Sequence, residues 1–226
     1  MSGPVASRTA AERWEPTPET GTHASDGQAR TALLWRLPEP MLVIASAPLG
    51  GGVGLRRWVV NAQVGKGYAR LDVEEHLREI GRASGVEGDG VGMLTAAPVE
   101  RPSEGADGGV RSFATVGLSA PVWASAPEGQ APPPAGTINV VAILPVRLGE
   151  AALVNAVMTV TEAKTQALLE AGVPGTGTAS DALCVLCRAS GTAERYGGPR
   201  SQWGARLARA VHQAVTAGIE VASRRR

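Results

Sequence analysis

Histidine, cysteine and lysine are all scarce in this chain of 226 residues, and each shortage removes a class of chemistry. A structural zinc site takes four ligands, and two cysteines with the three scattered histidines His23, His76 and His212 do not make one. A Ser-His-Asp triad needs a histidine in a cleft, whereas His76 and His212 fall on helical segments and His23 in the N-terminal region. No H-E-x-x-H or comparable spacing offers the clustered ligands of a metallohydrolase, so no protein-bound metal is expected. Cys184 and Cys187 form a C-x-x-C inside an apolar run, not where a loop enters a helix. Three apart on a strand they face opposite sides, so buried reduced thiols are expected. The formal net charge is only +1, which gives no electrostatic basis for a nucleic-acid or membrane partner. Its one basic run, Arg224 to Arg226, is read as a frayed tail. There is no apolar stretch of about 18 residues and no basic-then-apolar N-terminal segment, so a soluble cytoplasmic protein is the expectation. Two lysines against twenty arginines, with abundant Ala and Gly, point to a high-GC genome.

What is present reads as one domain preceded by a tail. Residues 1–30 are polar, rich in Gly, Ala and Thr and without period, so a disordered or loosely attached segment is expected, with Trp14 docking locally. Residues 31–226 are long enough for one substantial core. Strands are expected at 41–45, 58–64, 90–97, 112–118, 137–146 and 182–187. Helices are expected at 73–80, with Asp72 as N-cap, and at 150–171 and 202–223. The Pro-bearing loop 120–135, with Pro121, Pro127 and Pro132 to Pro134, is expected to stay on the surface and out of any sheet. About six strands and three helices without βαβ alternation argue for an α+β fold. The sheet would be mixed or antiparallel and packed against the two long helices, as two layers or a sandwich.

The segment 136–182 carries the most chemical information. On its helix Asn155, Thr159, Glu162 and Gln166 fall within about 60° of arc at roughly 100° per residue, a narrow polar strip. Exposed faces here should be rich in Arg and Glu, so this nearly uncharged strip is expected to line a cleft, although a hydrated helix face has the same pattern. Gly172 and Pro174 end the helix. The loop Gly175-Thr176-Gly177-Thr178-Ala179-Ser180-Asp181 then offers unobstructed backbone N–H groups and three hydroxyls beside one carboxylate. It lacks the Gly-Lys-Ser/Thr ending of a phosphate loop and leads into a strand.

Several segments together resemble one family. They are Ser46-Ala47-Pro48-Leu49-Gly50-Gly51-Gly52, the run WVVNAQV from Trp58 to Val64, Gly92-Met93-Leu94-Thr95-Ala96, Ala114-Thr115-Val116-Gly117, Gly136-Thr137-Ile138-Asn139, the helix ALVNAVMTVTEAKTQAL, the loop GTGTASDA and Tyr196-Gly197-Gly198. In their order and number they resemble the adenosylcobinamide amidohydrolases of corrinoid salvage, over roughly residues 40–220. The resemblance implies hydrolysis of the amide joining the aminopropanol arm to the corrinoid, with adenosylcobyric acid and 1-amino-2-propanol as products. It also implies cobalt only as part of the substrate, and no further cofactor.

Amide hydrolysis needs an activated nucleophile, a stabiliser for the oxyanion and an acid for the leaving amine. With histidine and metal chemistry unsupported, hydroxyls and carboxylates remain. Asp181 beside Thr178 and Ser180, with Glu162 on the facing helix, is the expected acid/base cluster, acting either by activating water or by activating a hydroxyl. Asp72, near Asn61, Gln63 and Tyr68, is a weaker second carboxylate. A corrinoid is a wide macrocycle edged with amides. Its expected contacts are Ser46, the backbone at Gly50, Gly51, Gly52, Gly136, Thr137 and Gly177, and the side chains of Asn61, Thr95, Asn139, Asn155 and Thr159, with Trp58 or Met93 covering the ring. Two other classes remain open, a non-catalytic corrinoid-binding protein and a self-processing Thr-nucleophile hydrolase suggested by Gly-Met-Leu-Thr at 92–95 and the other Gly-Thr pairs. A homo-oligomer is compatible with all three.

Overall fold

The computed structural model describes residues 16–127 and 136–224. Trp14, Pro132 to Pro134 and the last two arginines lie outside them. The chain runs β1 (Glu19–Ser25), β2 (Gln28–Ala45), β3 (Gly52–Gln63), α1 (Val73–Ala83), β4 (Gly90–Thr95), β5 (Ser103–Asp107), β6 (Val110–Gly117), β7 (Thr137–Ile143), β8 (Arg147–Leu148), α2 (Glu150–Glu170), β9 (Ala182–Cys187), β10 (Ala193–Glu194) and α3 (Gln202–Ser223). Eight strands form one mixed sheet in the order β4-β3-β2-β9-β7-β6-β5, with β1 paired to β2, and β8 and β10 form a separate two-stranded pair. The α+β class is as expected. Parallel pairing occurs where a helix makes the crossover, β3 to β4 through α1 and β7 to β9 through α2.

Order begins earlier than the composition of the first 30 residues suggests. Glu19 to Ser25 pairs antiparallel with Gln28 to Leu34, across a two-residue turn in which Asp26 (φ 52°) and Gly27 (φ 70°) are both left-handed. That conformation matches the twist of a hairpin, and Asp-Gly is the dipeptide that tolerates it. His23 and Ser25 are buried, and the His23 ring lies 6.2 Å from that of His76 on α1. Residues 52–54 belong to β3, which starts earlier than the strand expected at 58–64. The loop after β6 is not wholly outside pairing either, because Val122 exchanges backbone hydrogen bonds with Gly177 and Thr176 (2.8 and 2.9 Å).

The sheet folds back on itself. β2 is 18 residues long, and its register with β3 breaks between Arg36 and Met41, where Pro38 and Pro40 cannot donate to a ladder. Its first half therefore runs with β1, β3 and β4, and its second half pairs with β9. Inward residues of the two halves meet in one buried cluster. Leu33, Trp35, Val59, Val91 and Met93 from one side pack on Phe113, Val141, Ile143, Cys184 and Leu186 from the other. Trp35 meets Phe113 edge-on with centroids 5.6 Å apart, a geometry the ring quadrupoles favour. The outer face of the β3/β4 half is covered by α1 through Trp58, Val60, Leu77 and Ile80. The outer face of β9, β7 and β6 is covered by α2 and α3 through residues such as Ile138, Val140, Leu153, Val160, Leu207 and Val211. The sandwich alternative is thus realised, with helices outside both faces. α3 sits almost against backbone: a Cβ at Gly105 would lie 2.1 Å from the Ala210 carbonyl oxygen. No helix among the described residues is long and apolar enough to cross a membrane.

Strand alternation fixes what the two ends of this interior contain. β7 sends Ile138, Val140 and Ala142 to the helices and Val141 and Ile143 into the sandwich, so Thr137 and Asn139 share the inward face. The same parity turns Asn61, Thr95 and Thr115 inward from β3, β4 and β6. One end of the interior is therefore apolar, and the other is a buried polar cluster.

Candidate active site

The polar end is held by hydrogen bonds that cross between the sheet halves. Asn61 Nδ2 donates to Thr115 Oγ1 (3.0 Å), and Asn139 Nδ2 donates to Asn61 Oδ1 (2.8 Å) and to the Leu94 carbonyl (3.0 Å). Thr95 Oγ1 accepts from the Ala97 amide at 3.0 Å. All four side chains are buried, and the Asn139 side-chain oxygen has no partner among the described residues. A buried polar atom left unsatisfied costs free energy unless a ligand or water reaches it. A cavity of about 450 Å³ opens on this end, lined by Thr115, Gly136 and Thr137 together with Lys66, Glu100 and Arg101.

Beside this cavity lies the loop 175–181, and Asp181 is its hub. Asp181 Oδ1 accepts from the Ile138 amide (2.8 Å) and from Thr178 Oγ1 (2.5 Å). Oδ2 accepts from the Thr178 amide (3.1 Å) and from Lys164 Nζ (2.5 Å). The ion pair is largely withdrawn from water, with side chains 12% and 15% exposed. Gly177 is dictated by it, since a Cβ there would lie 2.5 Å from Asp181 Oδ2 and 2.6 Å from Lys164 Nζ. Ser180 Oγ donates to the Gly136 carbonyl (3.0 Å) and lies 2.7 Å from Thr137 Oγ1. Thr178 Oγ1 also reaches the Gly136 carbonyl at 2.7 Å. Thus Asp181, Thr178, Ser180, Gly136 and Thr137, singled out from the sequence, form one hydrogen-bonded cluster that opens on the cavity through Gly136 and Thr137.

The helix α2 faces this loop with a side other than the one expected. Asn155, Glu162 and Gln166 are exposed, and Glu162 borders only a shallow groove with Thr161, Thr165, Gln166 and Leu169. Lys164, on the opposite side of the helix, reaches Asp181, and Thr165 Oγ1 donates to the Thr176 carbonyl at 3.2 Å. Only Thr159 of the strip is buried, and its hydroxyl donates to the Gly197 carbonyl (2.8 Å) instead of facing a cleft. The packing face is the stripe Ala152, Ala156, Ala163 and Ala167. Small side chains there let other elements come close, as at Gly197, where a Cβ would lie 2.2 Å from the Ala152 carbonyl oxygen. Val154, Met158 and Leu169 are exposed, so both faces of α2 carry apolar residues and the pattern does not say which is inside.

Other assignments also change. Trp58 and Met93 are buried core residues, Trp58 donating from Nε1 to the Gly88 carbonyl at 3.1 Å, and neither lines the main cavity. Ser46 joins the end of β2 to β9, its hydroxyl accepting from the Leu183 amide at 3.1 Å. Gly50 and Gly52 are left-handed turn residues (φ 69° and 80°), and Gly51 packs on the Ala47 carbonyl. None of these three glycines lines the main cavity. Asp72 makes no capping hydrogen bond; it pairs with Arg70, whose guanidinium holds the carboxyl down at about 2. Cys184 and Cys187 point into different clusters as expected, and burial pushes both thiols up. The residues missed were Lys66 and Lys164. They are the only two lysines of the chain, and their rarity among twenty arginines was the available signal. Among the described residues no three His, Cys, Asp or Glu side chains group as metal ligands.

Comparison with known proteins agrees with the order of the sequence segments. The family model for adenosylcobinamide amidohydrolase matches residues 15–226. A Methanosarcina mazei protein named adenosylcobinamide amidohydrolase is 34% identical over 185 residues, covering 78% of this chain and 89% of its own. A Halobacterium salinarum protein of the same name is 36% identical over 136 residues, covering 57% of this chain and 58% of its own. With a match that takes in the sandwich, the cavity and the Asp181 loop together, this chain belongs to the adenosylcobinamide amidohydrolase family.

Proposed function

We propose that the protein hydrolyses adenosylcobinamide at the amide joining the aminopropanol arm to the corrinoid, giving adenosylcobyric acid and 1-amino-2-propanol, a salvage step toward cobalamin. The observation that carries this reading is the hydroxyl cluster Thr137, Ser180 and Thr178, which meets the cavity through Thr137, in a chain of this family. A cavity of about 450 Å³ falls within the ordinary range for small ligands. It suits the aminopropanol arm and its amide, leaving the macrocycle across the mouth near Lys66 and Arg101. Behind Thr115, which lines the cavity, the Asn61 and Asn139 amides brace the inner end, and the Asn139 oxygen is left without a partner among the described residues.

The chemistry assigned to the cluster is attack by a hydroxyl on the substrate carbonyl. Thr137 and Ser180 are in contact and are the candidates for nucleophile and proton relay. Asp181 acts by position: with four donors on two oxygens it fixes the loop and the start of β7, so that the hydroxyls are held before substrate arrives. Glu162 takes no part. No protein-bound metal is assigned to the reaction, and cobalt enters only with the substrate. The free, separated thiols Cys184 and Cys187 suit a reducing cytoplasm.

Incubation with adenosylcobinamide, followed by mass spectrometry for 1-amino-2-propanol, tests this reading. Release that is lost in Ser180→Ala is the expected result. Tight binding of the corrinoid without release of the amine would overturn it in favour of a non-catalytic corrinoid-binding protein.

A further inference from the structure

The bond between Gly136 and Thr137 lies at the centre of the hydroxyl cluster. Its carbonyl oxygen accepts from Ser180 Oγ at 3.0 Å, and Thr178 Oγ1, whose one proton goes to Asp181 Oδ1, lies 2.7 Å from it. The next side chain, Thr137, carries its own hydroxyl 2.7 Å from Ser180 Oγ. Downstream, the Ile138 amide is clamped by Asp181 Oδ1 at 2.8 Å. Upstream, Gly136 is buried with no room for a side chain, since a Cβ would lie 2.8 Å from the Gly117 carbonyl oxygen and 3.2 Å from Thr178 Cγ2. The cavity opens directly on both residues. The Gly136 carbonyl thus accepts from Ser180, and the Thr137 hydroxyl in contact with that same serine is the group that would close on its carbon through a five-membered ring. Within the cluster no base is free, since its one carboxylate, Asp181, is committed to four donors; the described residues that line the cavity add Glu100, which is exposed, and no histidine.

We infer that the protein cleaves its own backbone between Gly136 and Thr137, freeing Thr137 as an N-terminal nucleophile whose α-amino group is the base the site otherwise lacks. The step balances without an external reagent other than water. Ser180 donates its single proton to the Gly136 oxygen, so Thr137 donates to Ser180. As Thr137 Oγ1 bonds to the Gly136 carbonyl carbon, its proton passes to Ser180 and the Ser180 proton passes to the carbonyl oxygen. Collapse of the tetrahedral centre breaks the C–N bond, and that proton goes to the Thr137 nitrogen. An ester of Gly136 on the Thr137 hydroxyl remains. Water then cleaves it, its OH completing the Gly136 carboxyl and its H returning to Thr137 Oγ1. The free amine lies next to the hydroxyl it activates, the arrangement used by threonine nucleophiles. The two pieces stay together, because β7 of the second is paired along its length with β6 of the first.

The inference rests on the amidohydrolase reading for its purpose, and one preparation separates the two. Purified full-length protein is denatured for intact-mass analysis, and a second portion is assayed for 1-amino-2-propanol release. The expected result is two pieces, residues 1–136 and 137–226, whose masses sum to the intact chain plus one water and which co-elute on native gel filtration. An N-terminal sequence beginning Thr-Ile-Asn-Val is expected for the second. Thr137→Val should give one uncut chain and at least a hundredfold less release, while Thr137→Ser should still cut. A folded Thr137→Val protein that is cut like the parent would overturn the inference, as would a single uncut parent chain that releases the amine; in the latter case hydrolysis of adenosylcobinamide stands without it. A cut chain that releases no amine supports self-cleavage and removes the substrate reading instead.

Discussion

Replacing Lys164 with methionine isolates the interaction on which the site geometry depends. Methionine keeps the length and helix propensity of lysine, so α2 should not be weakened by the change itself. The ammonium is lost from a pair whose side chains are 12% and 15% exposed, at an N–O distance of 2.5 Å. Removing one partner of a fully buried pair costs about 3–5 kcal/mol, because the other charge is left behind. Here Asp181 keeps three donors, Ile138 N, Thr178 N and Thr178 Oγ1, and some access to water. The expected loss is therefore smaller, about 2 kcal/mol. With a urea m-value of about 2 kcal/mol/M, the denaturation midpoint should fall by about 1 M. Turnover should fall as well, by about tenfold or more, since Thr178 and Ser180 lose the anchor that holds them on Gly136. The control is Glu162→Gln, exposed on the other side of α2, which should stay within about 0.5 kcal/mol and keep its activity. A Lys164→Met protein with the parent midpoint and turnover would refute the reasoning, as would Glu162→Gln being the more damaging change.

Three further outcomes are expected. Gly105→Ala should lower stability by about 2 kcal/mol or more, because its methyl would meet the Ala210 carbonyl 2.1 Å away and α3 would have to move; a thermal midpoint unchanged within a degree or so would mean that α3 is not seated on β5 as described. Chelators such as EDTA should leave amine release unchanged, and inactivation reversed by a divalent ion would convert the acidic residues from hydrogen-bond acceptors into ligands. Stability should fall as the pH drops below 6.5: burial lowers both His23 and His76 from that ordinary value, so the unfolded chain binds more protons between 6.5 and the lowered folded values, and the loss accumulates across that window. Hydrogen exchange at pH 5 should show it first in β1 and β2, where His23 Nε2 meets the Gln63 carbonyl at 2.9 Å; uniform protection from pH 8 to 5 would contradict this.

Local signals set much of this protein. The apolar runs placed β4, β6, β7 and β9, the periodic segments placed α1, α2 and α3 within a few residues, and the spacing of Cys184 and Cys187 sent them to opposite sides of a strand. These elements are legible because strand alternation and helical period depend on near neighbours alone. The Asp26-Gly27 hairpin was legible by the same rule but was obscured by the polar composition around it. The loop 175–181 could be identified as chemical, since Gly, Thr, Ser and Asp in succession need no partner to be recognised. What the loop faces could not. That Lys164 and not Glu162 reaches Asp181, that Thr137 touches Ser180 43 positions away, and that Trp58 is core all depend on how the sheet folds back at β2 and on which side of α2 the alanine stripe meets its neighbours. A helix with apolar residues on both faces does not state its own orientation; only the close approach that its smallest side chains permit decides it.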